Sequence, residues 1–336
     1  MKIGNFDTDQ KVLIIAEIGN NHEGNFSLAE KMIGLAADAG VGAVKFQTIV
    51  PHKLVSSTET ERIQQLKKFQ LTNDEYRKLA DIANEKKLLF LSTPFDIESV
   101  KFLNDIVPAF KVSSGDNNFF PLLRTICSTG KPIIMSSGLC GFEEIVTSVK
   151  YVKSCWKEFN ISSELAVLHC VSNYPVQPEC ANLLSIKCLK DNLNCTIGYS
   201  DHTLGIEAAQ FAVTLGAKII EKHFTINKKL SDFRDHQLSA DPEEMYLLVQ
   251  KVEEVQKFLG NYDIKKSAKD QEMISAVRRS IAANKDLNAG EILEFEDLTW
   301  LRPGTGLIVE NEKLLIGKKL KHRIKAGEFI TLIDVE

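Results

Sequence analysis

Cys195-Thr-Ile-Gly-Tyr-Ser-Asp-His-Thr-Leu-Gly-Ile-Glu-Ala-Ala-Gln-Phe-Ala-Val-Thr-Leu-Gly-Ala-Lys-Ile-Ile-Glu-Lys-His223 reads as one strand–helix–strand unit. Cys195–Gly198 is a short apolar run. Gly205–Leu215 sets apolar residues at helical spacing, and Lys218–Glu221 is a second short run. Neither run alternates apolar with polar residues. Parallel strands read this way when helices cover one side and the other packs inward.

Outward from this unit the pattern repeats. Val12–Ala16 precedes a helical stretch at Ser27–Ala39, with Ser27 placed as N-cap and Gly40 just past the end. Ala43–Gln47 is followed by a polar stretch to about Thr72, then by a helix at Asn73–Lys87 capped by Asn73. The short runs Leu88–Ser92, Ala109–Val112, Ile133–Ser136 and Leu165–His169 continue the series, and Pro242–Leu259 closes it as a helix. The count reaches eight units within residues 1–260. Alternation means an α/β fold, and eight units mean a (β/α)8 TIM barrel, with a doubly wound sheet as the alternative.

The pattern then changes. Residues 261–275 are polar and charged and read as a linker. Residues 276–336 hold short β-type segments broken by Asn288-Ala-Gly290, Arg302-Pro-Gly304 and Lys325-Ala-Gly327. They read as a small mostly-β domain whose marginal core leans on another surface.

Composition narrows the function. At 44% hydrophobic and 26% charged residues, the 336-residue chain is globular, not disordered. A net charge of −4 gives no general attraction for nucleic acid or an anionic membrane, so the expected partners are small molecules. An anionic substrate would need a local basic pocket. No run approaches the ~18 apolar residues of a spanning helix. Val12–Ala16 is too short for a signal segment, and Asp7 and Asp9 precede it. Seven cysteines, with no C-x-x-C pair, fit reduced cytoplasmic thiols.

Chemistry in such a barrel sits where strands end. Lys45 and Lys111 end two of them, each near Ser or Thr hydroxyls, which makes an anion site for phosphate or carboxylate. His202 and His223 end adjacent strands. Two neutral imidazoles there can share one divalent ion at about 2.0–2.2 Å and leave positions open for water and substrate. Glu17 and Glu221 can ligate or move protons. His22, His169 and His236 are weaker candidates, with His169 expected to pack lower on its strand.

At these residues the sequence resembles the N-acetylneuraminate (sialic acid) synthase family, which includes the legionaminic acid synthases. The resemblance rests on Ala16-Glu-Ile-Gly-Asn-Asn-His-Glu-Gly24, Ala43-Val-Lys-Phe-Gln-Thr48, Ser92-Thr-Pro-Phe95, Lys111–Gly115, Ser136-Ser-Gly138, Asn173-Tyr-Pro175, Tyr199-Ser-Asp-His-Thr-Leu-Gly205 and Glu221-Lys-His-Phe-Thr225. Arg278-Arg279-Ser280, Trp300-Leu-Arg-Pro-Gly304 and Leu315-Ile-Gly317 resemble that family's C-terminal antifreeze-like (SAF) domain.

The resemblance implies condensation of phosphoenolpyruvate with an N-acylated amino sugar. The acceptor would be N-acetylmannosamine or a 2,4-diacetamido-2,4,6-trideoxyhexose. It implies a divalent ion, Mn2+ first, with Mg2+ or Co2+ suiting the same donors, on His202 and His223. Phosphoenolpyruvate contacts fall on Lys45, Thr93, Lys111, Ser114, Ser136 and Tyr174, and on Ser172, which stands where some members carry Asn. Sugar contacts fall on Glu17, Gln47, Tyr174, Glu221 and Asp235. Glu17, Lys45 and Lys111 carry the catalytic roles, and Glu17 is the residue expected to activate water. It also implies a domain-swapped homodimer in which Arg302 of the SAF domain touches the sugar's acyl group. Two rival readings remain at this point: another phosphoenolpyruvate-using or aldolase-type barrel, and a non-catalytic carbohydrate-binding protein.

Overall fold

Eight parallel strands form a single sheet: β1 (Leu13–Gly19), β2 (Ala43–Thr48), β3 (Leu89–Pro94), β4 (Phe110–Val112), β5 (Ile133–Ser136), β6 (Leu165–Cys170), β7 (Thr196–Asp201) and β8 (Ile219–His223). The protein is described here by a computed structural model covering Met1–Glu336. Hydrogen-bonded neighbours run β3-β2-β1-β8-β7-β6-β5-β4, so the first and last strands pair. The end strands β3 and β4 pack side by side, and the sheet is a nearly closed barrel. The doubly wound alternative is excluded by the β1–β8 pairing.

Side-chain direction explains why the strand runs lack alternation. Outward-facing Ile14, Val44, Phe90, Phe110, Val167 and Ile220 join the helices in the main core. Inward-facing Leu13, Ile15, Leu89, Leu91, Ile134 and Leu168 form a second core inside the barrel. Both faces of each strand are therefore apolar in its lower half. A two-residue hairpin (Lys2–Ile3 with Phe6–Asp7) precedes the barrel, and Met1 and Ile3 join the inner core. The sequence pattern gave no sign of this plug.

The helices differ from expectation in detail. Helix α1 (Phe26–Asp38) is capped by Asn25, whose side chain accepts from Leu28 N, not by Ser27. The polar stretch before Thr72 folds into α2 (Pro51–Leu54) and α3 (Thr60–Phe69). Helix α4 (Asn73–Glu85) starts at the expected residue and ends two residues sooner, and it is capped by Thr72, not Asn73, with Thr72 and Glu75 forming a reciprocal capping box.

The chain divides into two compact units, Met1–Gly260 and Asn261–Glu336. In the second, the stretch expected as a linker runs into a helix, Ala268–Val277, capped by Ser267 and Asp270. Strands β9 (Ser280–Ala283) and β10 (Leu298–Leu301) pair antiparallel. Ile281, Leu287, Leu293, Leu315, Leu320 and Ile330 form the centre of its small core. No helix of the protein is long and apolar enough to cross a membrane.

Candidate active site

Above the apolar inner layer, the inward positions of the same strands turn polar. Glu17, Lys45, Thr93, Lys111, Ser136, Ser200, Glu221 and His223 all line a cavity of about 900 Å3 at the strand ends. That size suits a pair of small substrates. Register fixes the order: Glu17 sits opposite Lys45 on one side and His223 on the other.

Four buried charges make the floor. Lys45 Nζ lies 2.7 Å from Glu17 Oε2 and 3.7 Å from Glu221 Oε2, and it donates to Thr93 Oγ1 at 3.2 Å. Lys111 Nζ donates to Ser136 Oγ at 2.8 Å and lies 3.6 Å from Glu221 Oε1. Glu221 Oε1 also accepts from Ser200 Oγ at 2.9 Å. Two lysines and two carboxylates cancel formally, which lets four charges stay in a dry site.

The two carboxyls are pushed apart. Burial raises Glu17 above the usual carboxylate range, and the nearby Glu221 charge adds to this against the pull of Lys45. Burial also works against Glu221, but Lys111 and Lys45 hold it below that range. Burial opposes the Lys45 charge too, yet Glu17 and Glu221 leave it raised. For Lys111 burial wins, and its ammonium is lowered. Neighbouring carboxyls driven in opposite directions differ in how readily each takes up a proton, and Glu17 is the readier of the two.

Hydroxyls converge beside Lys111. Gly138 N donates to Ser114 Oγ at 3.1 Å. A Cβ at Gly138 would fall 2.6 Å from Ser114 Oγ and 2.4 Å from Ser172 Oγ, so only glycine lets these hydroxyls close around the backbone. Asn117 Nδ2 braces the turn from behind, donating to Ser136 O and Gly138 O at 3.2 Å each. Gly19 has φ +55° where β1 and β2 shift register. A Cβ there would crowd Glu17 Oε1 at 3.1 Å and Gln47 Nε2 at 3.2 Å.

The histidines meet at one side of the cavity, with ring centroids 5.3 Å apart. His202 Nδ1 lies 2.8 Å from the carbonyl of Val171, which fixes Nδ1–H and leaves the Nε2 lone pair free. His223 Nδ1 is buried with no hydrogen-bond partner. No cluster of three or more His, Cys, Asp or Glu side chains forms a closed metal cage. An orphaned buried nitrogen beside a tautomer-fixed imidazole fits a divalent cation that keeps positions for water and substrate. Tyr174 lies against His202 with ring centroids 4.2 Å apart and the planes tilted by 31°.

Gln47 and Asp235 also line the cavity. Gln47 Nε2 donates to Glu17 Oε1 at 2.9 Å and Gln47 Oε1 accepts from Asn20 Nδ2 at 3.1 Å, so this amide orients the carboxyl. Arg302 lies in the C-terminal unit, where its side chain is exposed. His22 and His236 are buried outside the cavity lining. Gly24 N donates to His22 Nδ1 at 3.0 Å, and burial lowers this ring to about 4. His236 bridges Thr225 Oγ1 at 2.7 Å and Glu23 Oε1 at 3.0 Å. His169 is buried with Nε2 at 2.8 Å from Ala181 O, so it packs as expected.

Several site residues escaped the sequence reading. Ser200 was findable by counting back two from His202, and Cys170 by counting on two from Leu168. Asn117 carries no signal of its own. The wall formed by Leu54, Leu66 and Phe69, with Phe233 against Phe69 at 5.0 Å, comes from helices hidden in a polar stretch.

The NeuB family model matches residues 32–264, and the SAF domain model matches 278–336. The chain belongs to the NeuB family. This member is 37% identical to the N,N'-diacetyllegionaminic acid synthase of Legionella pneumophila, over 96% of this chain and 94% of that one. It is also 37% identical to the synthase of the same name from Campylobacter jejuni, over 96% and 99%. Among solved structures, the N-acetylneuraminic acid synthetase of Leptospira borgpetersenii, crystallised with citrate, is 36% identical with a TM-score of 0.76, covering 82% of this chain and 94% of that one.

Proposed function

We propose that this NeuB-family chain condenses phosphoenolpyruvate with an N-acylated amino sugar, giving a sialic-acid-type nonulosonic acid and inorganic phosphate. One observation carries the reading. A compensated Lys45–Glu17–Glu221–Lys111 cluster and a hydroxyl-rich turn share one cavity with two imidazoles on adjoining strands. A sugar-binding module has no use for four buried charges beside a cation site.

Lys111, with Ser136, Ser114 and Ser172, would take the phosphate. Lys45, with Thr93, would take the carboxylate. A divalent ion on His202 and His223, with Mn2+, Mg2+ and Co2+ all suited to imidazole and water, would polarise the aldehyde oxygen of the open-chain acceptor. The enol carbon of phosphoenolpyruvate then bonds to the aldehyde carbon. Water adds at C2, and the tetrahedral centre expels phosphate. Glu17, held by Gln47 and raised by burial, is the group to move the water's proton. Glu221 stays ionised and keeps both ammoniums aimed at the substrate, which supplies orientation and charge complementarity.

The acceptor we favour is a 2,4-diacetamido-2,4,6-trideoxyhexose. The apolar wall of Leu54, Leu66, Phe69 and Phe233 suits a C6 methyl and acetyl methyls better than a hydroxymethyl group. The names of the two 37%-identical relatives support the same choice. We also propose a domain-swapped homodimer that brings Arg302 to the acyl group. In support, the small C-terminal unit exposes Ile292, Phe295, Ile308, Leu332 and Ile333. Seven free cysteines support a reducing, cytoplasmic setting.

The test is a panel of amino sugars with phosphoenolpyruvate and Mn2+, with products read by mass. Each six-carbon acceptor gains the three carbons of pyruvate, so the products share a nine-carbon skeleton and differ in mass by their substituents. Phosphate release that is abolished by chelation, with the diacetamido sugar turned over fastest, is the expected result. A borohydride-trapped imine on Lys45 or Lys111 would replace this reading with a Schiff-base aldolase.

A further inference from the structure

The two strands that carry the histidines hold a second pair of charges on their outer face. Lys222 and Asp201 sit opposite each other in the β7–β8 register, each one residue before a histidine. Their side chains are 1% and 0% exposed, and Lys222 Nζ donates to Asp201 Oδ2 at 2.9 Å. The surrounding layer is apolar: Tyr199 and Ile220, on the same outer face, belong to the main hydrophobic core. A buried ion pair in such a layer seldom outdoes well-packed apolar side chains in stability. Its placement therefore calls for another use.

The bonds run to the backbone on both sides of His202. Asp201 Oδ1 accepts from Thr203 N and Thr203 Oγ1, each at 2.8 Å, and from Tyr199 OH at 3.2 Å. Lys222 Nζ also donates to Thr203 O at 2.6 Å. The residue before His223 thus grips the residues before and after His202. We infer that the Lys222–Asp201 pair is a positioning device that sets the separation of His202 and His223, and with it the affinity for a divalent cation. This rests on reading the two histidines as a shared cation site. Lys222 and Asp201 touch neither substrate nor ion. They act through the backbone that aims the rings.

Mn2+ titration of the metal-free protein tests it, followed by electron paramagnetic resonance. Lys222→Met should weaken Mn2+ binding on the order of tenfold or more, the scale seen when groups that orient metal ligands are removed. The line shape of bound Mn2+ should change as the rings shift. Lys222→Arg should restore most of the affinity. Phosphoenolpyruvate affinity without metal should stay within about twofold, because the lysine floor is on the opposite face. Asp201→Asn keeps an acceptor for Thr203 but removes the charge, and it carries the same expectation if Lys222→Met does not fold. Folded variants with wild-type Mn2+ affinity and line shape would overturn the inference alone. A wild-type protein that fails to bind Mn2+ would overturn the cation site itself, and the positioning role with it.

Discussion

The lower and upper halves of the barrel interior are built by the same strands, with the same two-residue period, and do opposite things. Below, Leu13, Ile15, Leu91, Ile134, Leu168 and Ile219 exclude water and hold nothing. One step further along each strand, Glu17, Lys45, Lys111, Ser136 and Glu221 replace them and hold four charges out of solvent. The charges are affordable because they compensate each other and rest on a rigid, close-packed base. Shape comes from the lower layer and chemistry from the upper one. Substitutions in the two layers should therefore separate stability from turnover.

The largest separation should come from Glu17→Gln. The isostere keeps the cavity filled but cannot move a proton, so turnover should fall by about 10²–10⁴-fold. Thermal unfolding should stay cooperative and phosphoenolpyruvate should still bind. Near-normal phosphate release from this variant would remove Glu17 from the proton-transfer role. Leu168→Ala is the converse in the lower layer. It opens a cavity in the fully buried inner core and should cost about 2–5 kcal/mol in denaturant unfolding. The kcat of the protein that remains folded should change little. A large kcat loss without destabilisation would mean that the two layers are not separable. Ser136→Ala is a smaller probe. It takes away the 2.8 Å hydroxyl partner of Lys111, about 1 kcal/mol of interaction, so KM for phosphoenolpyruvate should rise several-fold with kcat nearly unchanged.

The upper layer was the more legible of the two, and the reason is physical. Charged residues directly after an apolar run are improbable unless they are used, so Glu17, Lys45, Lys111, His202, Glu221 and His223 stand out at strand ends. The lower layer reads only as hydrophobic, because both faces of each strand are buried and inward residues cannot be told from outward ones. The Lys222–Asp201 pair was hidden because it is made across two strands. Counting by twos from His202 and His223 puts Asp201 and Lys222 on the outer face, but only the register shows that they stand opposite each other. The sugar-facing wall was hidden for a different reason. Leu54, Leu66 and Phe69 are sparse apolar residues on short, mostly charged helices, whose pattern is too weak to mark an element.

The smallest effect should be a difference in pH dependence between two upper-layer carboxyls. Glu17 is raised from its ordinary value of 4.5, chiefly by burial. Its contribution to stability is present below that value and is lost as pH rises through the folded pKa. Glu221 is held below the same ordinary value, because Lys111 and Lys45 outweigh its burial. Its contribution is present above 4.5 and is lost as pH falls through the folded pKa. Melting temperatures of the metal-free protein followed from pH 3 to pH 8 should therefore diverge in opposite senses, below 4.5 for Glu221 and above it for Glu17. Relative to wild type, Glu17→Gln should gain as pH rises. Glu221→Gln should lose relative to wild type as pH rises toward 4.5 and then stay below it by a constant margin, because the Glu221 contribution is complete above that value and its removal leaves two buried ammoniums with one partner. If both variants tracked wild type in parallel, the two carboxyls would be electrostatically equivalent. The upper layer would then lack the acid-beside-carboxylate asymmetry that lets Glu17 handle a proton while Glu221 holds the lysines.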